Sequence, residues 1–167
     1  MAGFVAEYGA IILKAVGETL VMVVLSTGFG YLLGIPLGVV AYITDHGSIS
    51  ENRVVNTVVG WVINIVRSIP FIILILFLIP YTRFVMGTAS GTRGVIFPLV
   101  IGSTPFIARM VESSFNELDS GVIESAKAMG ATNLQIIWKV LLPESFPSLL
   151  RGMAIATITI IGYIAMA

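Results

Sequence analysis

Residues 19–44, TLVMVVLSTGFGYLLGIPLGVVAYIT, form the longest uncharged stretch of the chain. At about 1.5 Å per residue this stretch would make roughly 39 Å of α-helix, which exceeds the roughly 30 Å hydrocarbon core of a bilayer. It predicts a first membrane span over about residues 17–44. Gly30, Gly34 and Gly38 recur within it every four residues, a small-residue face that lets a second helix approach closely in lipid. We favour helix packing over substrate binding as the role of this face.

The composition of the whole chain also indicates a membrane protein. Of its 167 residues 57% are hydrophobic and 11% are charged, with a mean hydropathy of +1.02, whereas soluble domains carry about 25% charged residues. Nine basic and nine acidic residues cancel, so no basic field attracts nucleic acid. Without cysteine and with one histidine, neither a metal site nor a catalytic set is expected. An enzyme that acts by itself is therefore disfavoured.

Three further apolar stretches predict about four spans in one transmembrane domain that covers residues 1–167. They are residues 54–81, 94–111 and 152–167, and the polar residues 112–151 predict a long loop outside the membrane. The fold class is therefore all-α transmembrane. The last apolar stretch has 16 residues, or roughly 24 Å of helix, which is short for a complete crossing. We therefore expect the chain to be C-terminally incomplete.

An arginine interrupts the second of these stretches. Arg67 in the middle of a bilayer would cost at least about 2.5 kcal/mol, so we expect it at a membrane interface. Residues 54–66 would then lie along the membrane surface and residues 68–81 would cross it, with Pro70 in the first helical turn. That crossing is short, which suggests that the two pieces overlap.

Basic residues beside the predicted spans indicate the orientation. Six lie on one side and three on the other: Arg53, Arg67, Arg109, Lys127, Lys139 and Arg151 against Lys14, Arg83 and Arg93. Positive residues accumulate on the cytoplasmic side, which places the long loop in the cytoplasm and the N-terminus outside. The charges of Glu7, Lys14 and Glu18 do not follow the order of a cleavable signal peptide, so insertion should rely on the spans themselves.

The long loop contains two predicted short helices that meet at a glycine. Asp119 or Ser120 is a candidate N-cap of the first helix, and Gly130 is placed to end it in the left-handed conformation. Thr132 and Gln135 have the T-x-x-Q spacing of a capping box for the second helix. The loop therefore predicts a helix, a tight corner and another helix.

The second of these helices is expected to run to a bend before Pro143. The residues around the glycine are small or apolar: Val122, Ile123, Ala126, Ala128 and Met129. Two roles fit such a corner equally well on physical grounds. It could insert into a groove of another protein, or it could be an amphipathic hairpin resting on the membrane surface.

The spacing within this loop resembles a known signature. Glu124-Ser125-Ala126, then Gly130, then Val-Leu-Leu-Pro at residues 140–143 follow the "EAA" pattern E-A-A-x3-G-x9-I-x-L-P of binding-protein-dependent ABC importer permeases. Ser125 stands for the first alanine of the pattern and Val140 for its isoleucine, while the glycine and the Leu-Pro end are kept. This resemblance favours docking to a partner over the membrane-surface hairpin.

The likeness extends beyond the loop. Residues 64–73, NIVRSIPFII, residues 105–112, PFIARMVE, and residues 128–132, AMGAT, are similar to the methionine importer permeases, and the resemblance covers about residues 17–167. It implies a type I importer permease, a helical bundle with five spans, of which the fifth is missing here. It also implies a multi-pass protein of the bacterial cytoplasmic (inner) membrane.

The resemblance further implies partners and a cargo. Two permease copies would form a homodimer, each would dock its loop on one of two ATP-binding subunits, and an extracytoplasmic substrate-binding protein would deliver D- or L-methionine. No G-x-x-x-x-G-K-[ST] phosphate loop occurs in the chain, so ATP is expected on the partner and no cofactor on this chain. The implied docking residues are Glu124, Ser125, Ala126, Met129, Gly130, Ala131, Val140, Leu142 and Pro143; the substrate-binding residues stay unknown.

Other functions remain as alternatives. A close relative that carries another amino acid would share these features. A secondary transporter or channel would be expected to have carboxylates, histidines or a charged ring within its spans. None of these occurs in residues 19–44, 68–81 or 152–167. A structural membrane subunit would tolerate changes at the glycine corner.

Overall fold

The computed structural model describes the backbone of residues 2–167 and the side chains of residues 8–167. The expectation that concerns Glu7 lies outside the described side chains. Residues 2–167 form helices and connections without a β-strand. In chain order the helices are α1 (Ala2–Ile43), α2 (Arg53–Ser68), α3 (Phe71–Met86), α4 (Gly91–Asn116), α5 (Ser120–Ala128), α6 (Asn133–Ile136), a π-helical turn (Ile137–Leu141), α7 (Leu142–Glu144) and α8 (Phe146–Ile164).

Three of these helices are long and apolar enough to cross a membrane. They contain Tyr8–Ile43, Gly91–Asn116 and Phe146–Ile164, and the pair α2 and α3 adds a fourth candidate if it is counted as one bent span. This arrangement confirms the all-α transmembrane fold class with about four spans. The exact limits of the predicted spans within these helices stay a prediction.

The glycines of α1 pack directly against α4. A Cβ atom at Gly34 would lie 2.6 Å from Ile107 Cγ2, and one at Gly38 would lie 2.6 Å from the carbonyl oxygen of Ala108. Carbon atoms in van der Waals contact are about 3.5–4.0 Å apart, so neither position has space for any side chain. The prediction that this face lets a second helix approach closely is confirmed.

The break between α2 and α3 follows from Pro70. The residue before a proline is disfavoured in the helical conformation, and Ile69 is extended, with φ −83° and ψ 122°. The axes of α2 and α3 therefore differ by 107°. Pro70 is the N-cap of α3, and its carbonyl oxygen accepts hydrogen bonds from the N–H groups of Ile73 and Leu74.

A polar contact joins α2 to α4. Arg109 Nη1 lies 2.8 Å and 2.7 Å from the two carboxylate oxygens of Glu112, and its Nη2 donates to Asn64 Oδ1 at 3.2 Å. The pair is partly buried, with 32% of the Arg109 and 13% of the Glu112 side chain exposed. A guanidinium and a carboxylate that satisfy each other can lie beside apolar helices at a lower cost than either alone.

Two helices extend beyond the predicted apolar stretches. Helix α4 continues to Asn116, and α8 begins at Phe146. A charged pair joins these two helix ends: Arg151 Nη2, near the start of α8, donates to Glu117 Oε2, just after α4, at 3.1 Å. The segment that joins the two helices, residues 117–145, is consequently shorter than the predicted loop.

Candidate docking site

The first helix of this segment begins with a side-chain cap. Asp119 is extended, and its Oδ1 accepts a hydrogen bond from the N–H of Gly121 at 2.7 Å. Such a cap satisfies one of the amide groups that the first helical turn leaves free. Of the two predicted N-caps, Asp119 is therefore the one that the structure uses, and Ser120 is the first residue of α5.

Gly130 ends this helix in the left-handed conformation, as predicted, with φ +80°. Its N–H donates to the carbonyl of Lys127 at 2.9 Å, and the N–H of Ala131 donates to the carbonyl of Ala126 at 3.1 Å. This pair of bonds is a Schellman motif, which satisfies the last carbonyls of a helix and turns the chain. Glycine is required here by its backbone conformation, since no heavy atom lies within 4 Å of the position of a Cβ.

The second helix begins at the predicted capping box. Thr132 Oγ1 accepts from the N–H of Gln135 at 3.4 Å, and Gln135 Oε1 accepts from the N–H of Thr132 at 2.9 Å. The predicted bend before Pro143, however, is wrong. The helical path continues through the π-helical turn and α7 to Glu144. In the π-helical turn the N–H of Leu142 donates to the Ile137 carbonyl. This wider turn accommodates Pro143, which has no N–H to donate.

Residues 120–144, which we call the loop corner, are attached to the bundle through a shared apolar core. Ile123 and Ala126 of α5, Ile136 of α6 and Leu141 are buried in one cluster with four bundle residues: Ile107, Val111 and Phe115 of α4 and Ala156 of α8. At the end of the corner the buried Ser145 hydroxyl donates to the Ser114 carbonyl at 3.3 Å. A close-packed core of this kind transmits displacement rather than absorbing it.

Exposure divides the nine predicted docking residues into two groups. The exposed residues are Glu124, Ser125, Met129, Gly130 and Pro143. The buried or half-buried residues are Ala126, Ala131, Val140 and Leu142, and all of these pack into or against the apolar core described above. The first group is available to a partner protein, whereas the second holds the corner to the bundle.

The corner brings several of these residues together around a shallow groove of about 450 Å³. Five predicted residues line it: Ala126, Met129, Gly130, Ala131 and Val140. Gln135 and Lys139 complete the lining. Met129 projects from the corner and is 82% exposed. The groove lies next to this projecting side chain.

The polar part of the groove and an apolar patch beside it were not among the predicted docking residues. Gln135 and Lys139 are four residues apart and so share one helix face. Leu134 and Trp138 repeat that spacing, and each is 67% exposed. The signal that could have identified them is this pair of i, i+4 spacings in a helix whose opposite face is already occupied by Ile136.

The charged and polar groups of α5 are free for an outside partner or already satisfied. The Glu124 carboxylate is exposed and forms no ion pair or hydrogen bond with any side chain of residues 8–167. The Ser125 hydroxyl donates to the Gly121 carbonyl at 2.7 Å, so the serine that replaces an alanine of the pattern adds no unsatisfied group. No cluster of three His, Asp or Glu side chains in the described part of the chain could hold a metal.

Comparison with known proteins places this architecture in a family. Residues 34–167 match the family described as the binding-protein-dependent transport system inner membrane component. The matched region includes the C-terminal part of α1 (residues 34–43), the bent pair α2 and α3, α4, the whole loop corner and α8. It therefore covers all the elements that position the candidate docking site.

Individual relatives are similar over almost the whole chain. The D-methionine transport system permease protein MetI of Yersinia pestis is 50% identical over 153 residues, which are 92% of this chain and 70% of that protein. The protein of the same name from Escherichia coli strain K12 is 47% identical over 156 residues, or 93% and 72% of the two chains. The chain thus spans about 70% of the length of these relatives.

Solved structures agree with the sequence matches. A chain of the MetNI methionine ABC transporter in an inward-facing conformation superposes with a TM-score of 0.94 at 46% identity, over 96% of this chain and 74% of that one. An amino acid ABC transporter crystallised with histidines superposes with a TM-score of 0.74 at 19% identity, which shows the shared fold alone. The chain therefore belongs to the family of binding-protein-dependent transport system inner membrane components, and within that family it is similar to the D-methionine permeases.

Proposed function

We propose that the chain is the permease subunit of an ATP-driven importer that moves methionine into the cytoplasm. Support comes from relatives at 47–50% identity that are named D-methionine permeases and from the match to the MetNI methionine ABC transporter. The chain itself has no phosphate-binding loop, so ATP hydrolysis belongs to a partner subunit.

The proposed complex contains two copies of the permease and two ATP-binding subunits in a bacterial inner membrane, with an extracytoplasmic protein that delivers the substrate. The loop corner lies in the cytoplasm in this arrangement, and the N-terminus lies outside. The excess of basic residues on the side of the loop supports this orientation.

One observation carries the mechanism: the loop corner is exposed at its tip and fixed at its base. Glu124 and Met129 can contact the ATP-binding subunit, while Ile123 and Ile136 share a buried core with α4. When ATP binding closes the ATPase pair, the docked corner moves as a rigid body and displaces α4 with it. This couples the nucleotide state to a shift between inward-facing and outward-facing bundles.

The main alternative is that the chain is a permease for a different amino acid. Identifying the transported amino acid distinguishes the two functions. A secondary carrier or channel is less favoured, because its coupling would need ionisable groups within the spans. In the described part of the structure the partly buried ion pair of α4, Arg109 with Glu112, is joined to Asn64 of α2, which fits a structural contact between helices rather than a relay.

The test compares two glycines with the same backbone conformation at different places. Gly130 has φ +80° and Gly87, the C-cap of α3, has φ +73°, and neither has a heavy atom within 4 Å of a Cβ position. Gly130→Asp and Gly87→Asp should therefore carry a similar backbone cost of roughly 1–2 kcal/mol. Only the first places a charged side chain on the candidate docking site.

The measurement is recovery of the ATP-binding subunit with the tagged permease from native membranes, followed by uptake of labelled methionine into cells. We expect Gly130→Asp to insert normally but to recover less than about a tenth of the ATP-binding subunit and to lose uptake, while Gly87→Asp keeps both. Equal recovery and uptake by the two variants would refute docking through the corner. Normal docking with uptake of another amino acid would replace the cargo and keep the mechanism.

A further inference from the structure

A cavity of about 150 Å³ lies where α2 and α3 are broken apart. Its walls come from four helices, with Arg67 at the end of α2, Phe71 and Leu74 of α3, Phe106 of α4 and Tyr163 of α8. Ligand sites for drug-sized molecules are typically about 300–1,000 Å³. A cavity of this size suits a smaller molecule, held where four helices meet.

One charged side chain lines this cavity. The guanidinium of Arg67 forms no hydrogen bond or ion pair within residues 8–167; its recorded contact is with the ring of Phe106, whose centroid is 6.0 Å from Arg67 Cζ. In contrast, Arg109 is fully engaged by Glu112 and Asn64. Arg67 is exposed and has no anionic partner among the described residues. Its planar guanidinium is therefore available to a carboxylate ligand, which it can bind through two hydrogen bonds.

The remaining walls are aromatic and aliphatic. The rings of Phe71 and Tyr163 stack with centroids 4.2 Å apart and an angle of 10° between their planes. Gly102 permits this position, since a Cβ there would lie 3.1 Å from the Phe71 ring. Rings of this kind attract an apolar side chain, and their edges attract a thioether sulfur.

The cavity also lies at the N-terminal end of α3, which begins at Phe71. The N-terminus of a helix carries a partial positive charge that favours an anion. It acts here in the same sense as Arg67, so the two features reinforce each other. The positive charge of Arg67 suits the carboxylate of an apolar α-amino acid, and the aromatic walls suit its side chain.

From these features we infer that the cavity is a cargo site in which Arg67 binds the α-carboxylate of an apolar amino acid and the Phe71–Tyr163 pair contacts its side chain. This inference rests on the proposed function and adds a binding site within the membrane domain to it. It assigns Arg67 a direct role in substrate binding, which the placement of this residue at a membrane interface did not predict.

Residues 1–167 contain no cysteine, so a cysteine introduced among them can be labelled selectively once cysteines elsewhere in the complex have been replaced. Val66→Cys places a thiol in the cavity wall, whereas Ile65→Cys places one on the next residue, which is 58% exposed and lies outside the cavity. Both variants are made in the complete permease, assembled with its ATP-binding subunits. The rate of maleimide modification is measured with L-methionine and with methioninol, which has the same side chain but no carboxylate.

We expect methionine to slow modification of Val66→Cys at least fivefold, methioninol to have little effect, and neither to protect Ile65→Cys. Adding Arg67→Gln should abolish the protection by methionine. Protection of Val66→Cys that is equal for the two compounds, or that survives Arg67→Gln, would overturn the carboxylate contact. No protection by methionine in the otherwise wild-type complex would overturn the cargo site.

Transport measured in proteoliposomes tests the role of Arg67 independently of the labelling experiment. Arg67→Gln should raise the KM for methionine at least tenfold, and Arg67→Lys should recover part of the loss. Arg83→Gln, at an exposed arginine of α3 without an ion pair in the described residues, should transport normally. An unchanged KM in Arg67→Gln would refute the inference, whereas a wild-type complex that does not transport methionine would refute the proposed function instead.

Discussion

Glycine serves two different structural purposes in the α1–α4 seam and at the loop corner. In the seam between α1 and α4, Gly34 and Gly38 have ordinary helical backbones and no space for a Cβ, because α4 lies within 3 Å of where it would be. At the loop corner, Gly130 has space around it but a left-handed backbone. The seam requires glycine because glycine has no side chain, so the two helices can touch. The corner requires glycine because glycine can adopt the left-handed backbone conformation.

This difference separates residues that hold the fold from residues that present a surface. A side chain added at the seam must push two helices apart. A side chain added at the corner projects outward and leaves the bundle intact. Substitutions in the two regions should therefore fail in different ways, and three predictions test that separation, beginning with the largest expected effect.

The largest effect is expected from Gly34→Ala combined with Gly38→Ala. Each new Cβ would lie 2.6 Å from an atom of α4, and at Gly38 that atom is a backbone oxygen that cannot rotate away. Overpacking costs about 1–3 kcal/mol per site and sometimes more, so the double variant should lose its folded state. The measurement is the fraction of detergent-solubilised protein that remains monodisperse after mild heating.

The matched control uses two other glycines of the same helix. Gly17 and Gly28 have no heavy atom within 4 Å of a Cβ position. Because alanine favours a helix over glycine by about 1 kcal/mol, Gly17→Ala with Gly28→Ala should match or exceed the wild type in stability. Equal stability of the two double variants would show that the α1–α4 seam is looser than its distances indicate.

An intermediate effect is expected where the corner joins the bundle. Ile136 is fully buried in the core shared with α4, and truncating such a residue to alanine costs about 2–5 kcal/mol. Ile136→Ala should increase amide hydrogen exchange throughout residues 120–144 and leave exchange in the α1–α4 seam unchanged, because the corner can open locally.

Leu134 provides the control for this variant, since it lies two residues away and is 67% exposed. Leu134→Ala should leave hydrogen exchange unchanged and weaken recovery of the ATP-binding subunit. If Ile136→Ala raised exchange in the seam as strongly as in the corner, the two regions would unfold together. The corner could then not be treated as a unit attached to the bundle.

Local sequence signals predicted much of both regions. Asp119, Gly130 and the Thr132–Gln135 pair were identifiable because caps and left-handed turns depend on a few neighbouring residues. The spacing of Gly30, Gly34 and Gly38 indicated a close helix contact for the same reason. These features are encoded within one or two helical turns and need no knowledge of the rest of the fold.

Features that depend on partners distant in the sequence were not predictable in the same way. The spacing of the α1 glycines did not reveal that α4 would cover them, and the apolar stretches did not show that Arg151 reaches back to Glu117. The continuation of the helix through Pro143 depends on a π-helical turn that no residue pattern indicated. The cavity beside Arg67 requires four helices to be placed together, so sequence alone could not locate it.

The smallest effect is expected at the start of the second helix of the corner. Thr132→Ala removes an N-cap whose hydroxyl accepts from Gln135 N–H at 3.4 Å, and Asn52→Ala removes the cap of α2, whose side chain accepts from Val55 N–H at 3.1 Å. Both should cost about 1 kcal/mol, the usual value for a cap. Only Thr132→Ala alters the alignment of the candidate docking site. If the corner docks as proposed, this variant alone should lower uptake when the ATP-binding subunit is limiting, by a few fold. Equal uptake by the two variants would mean that the corner transmits motion through its buried core, without requiring a fully capped helix at its tip.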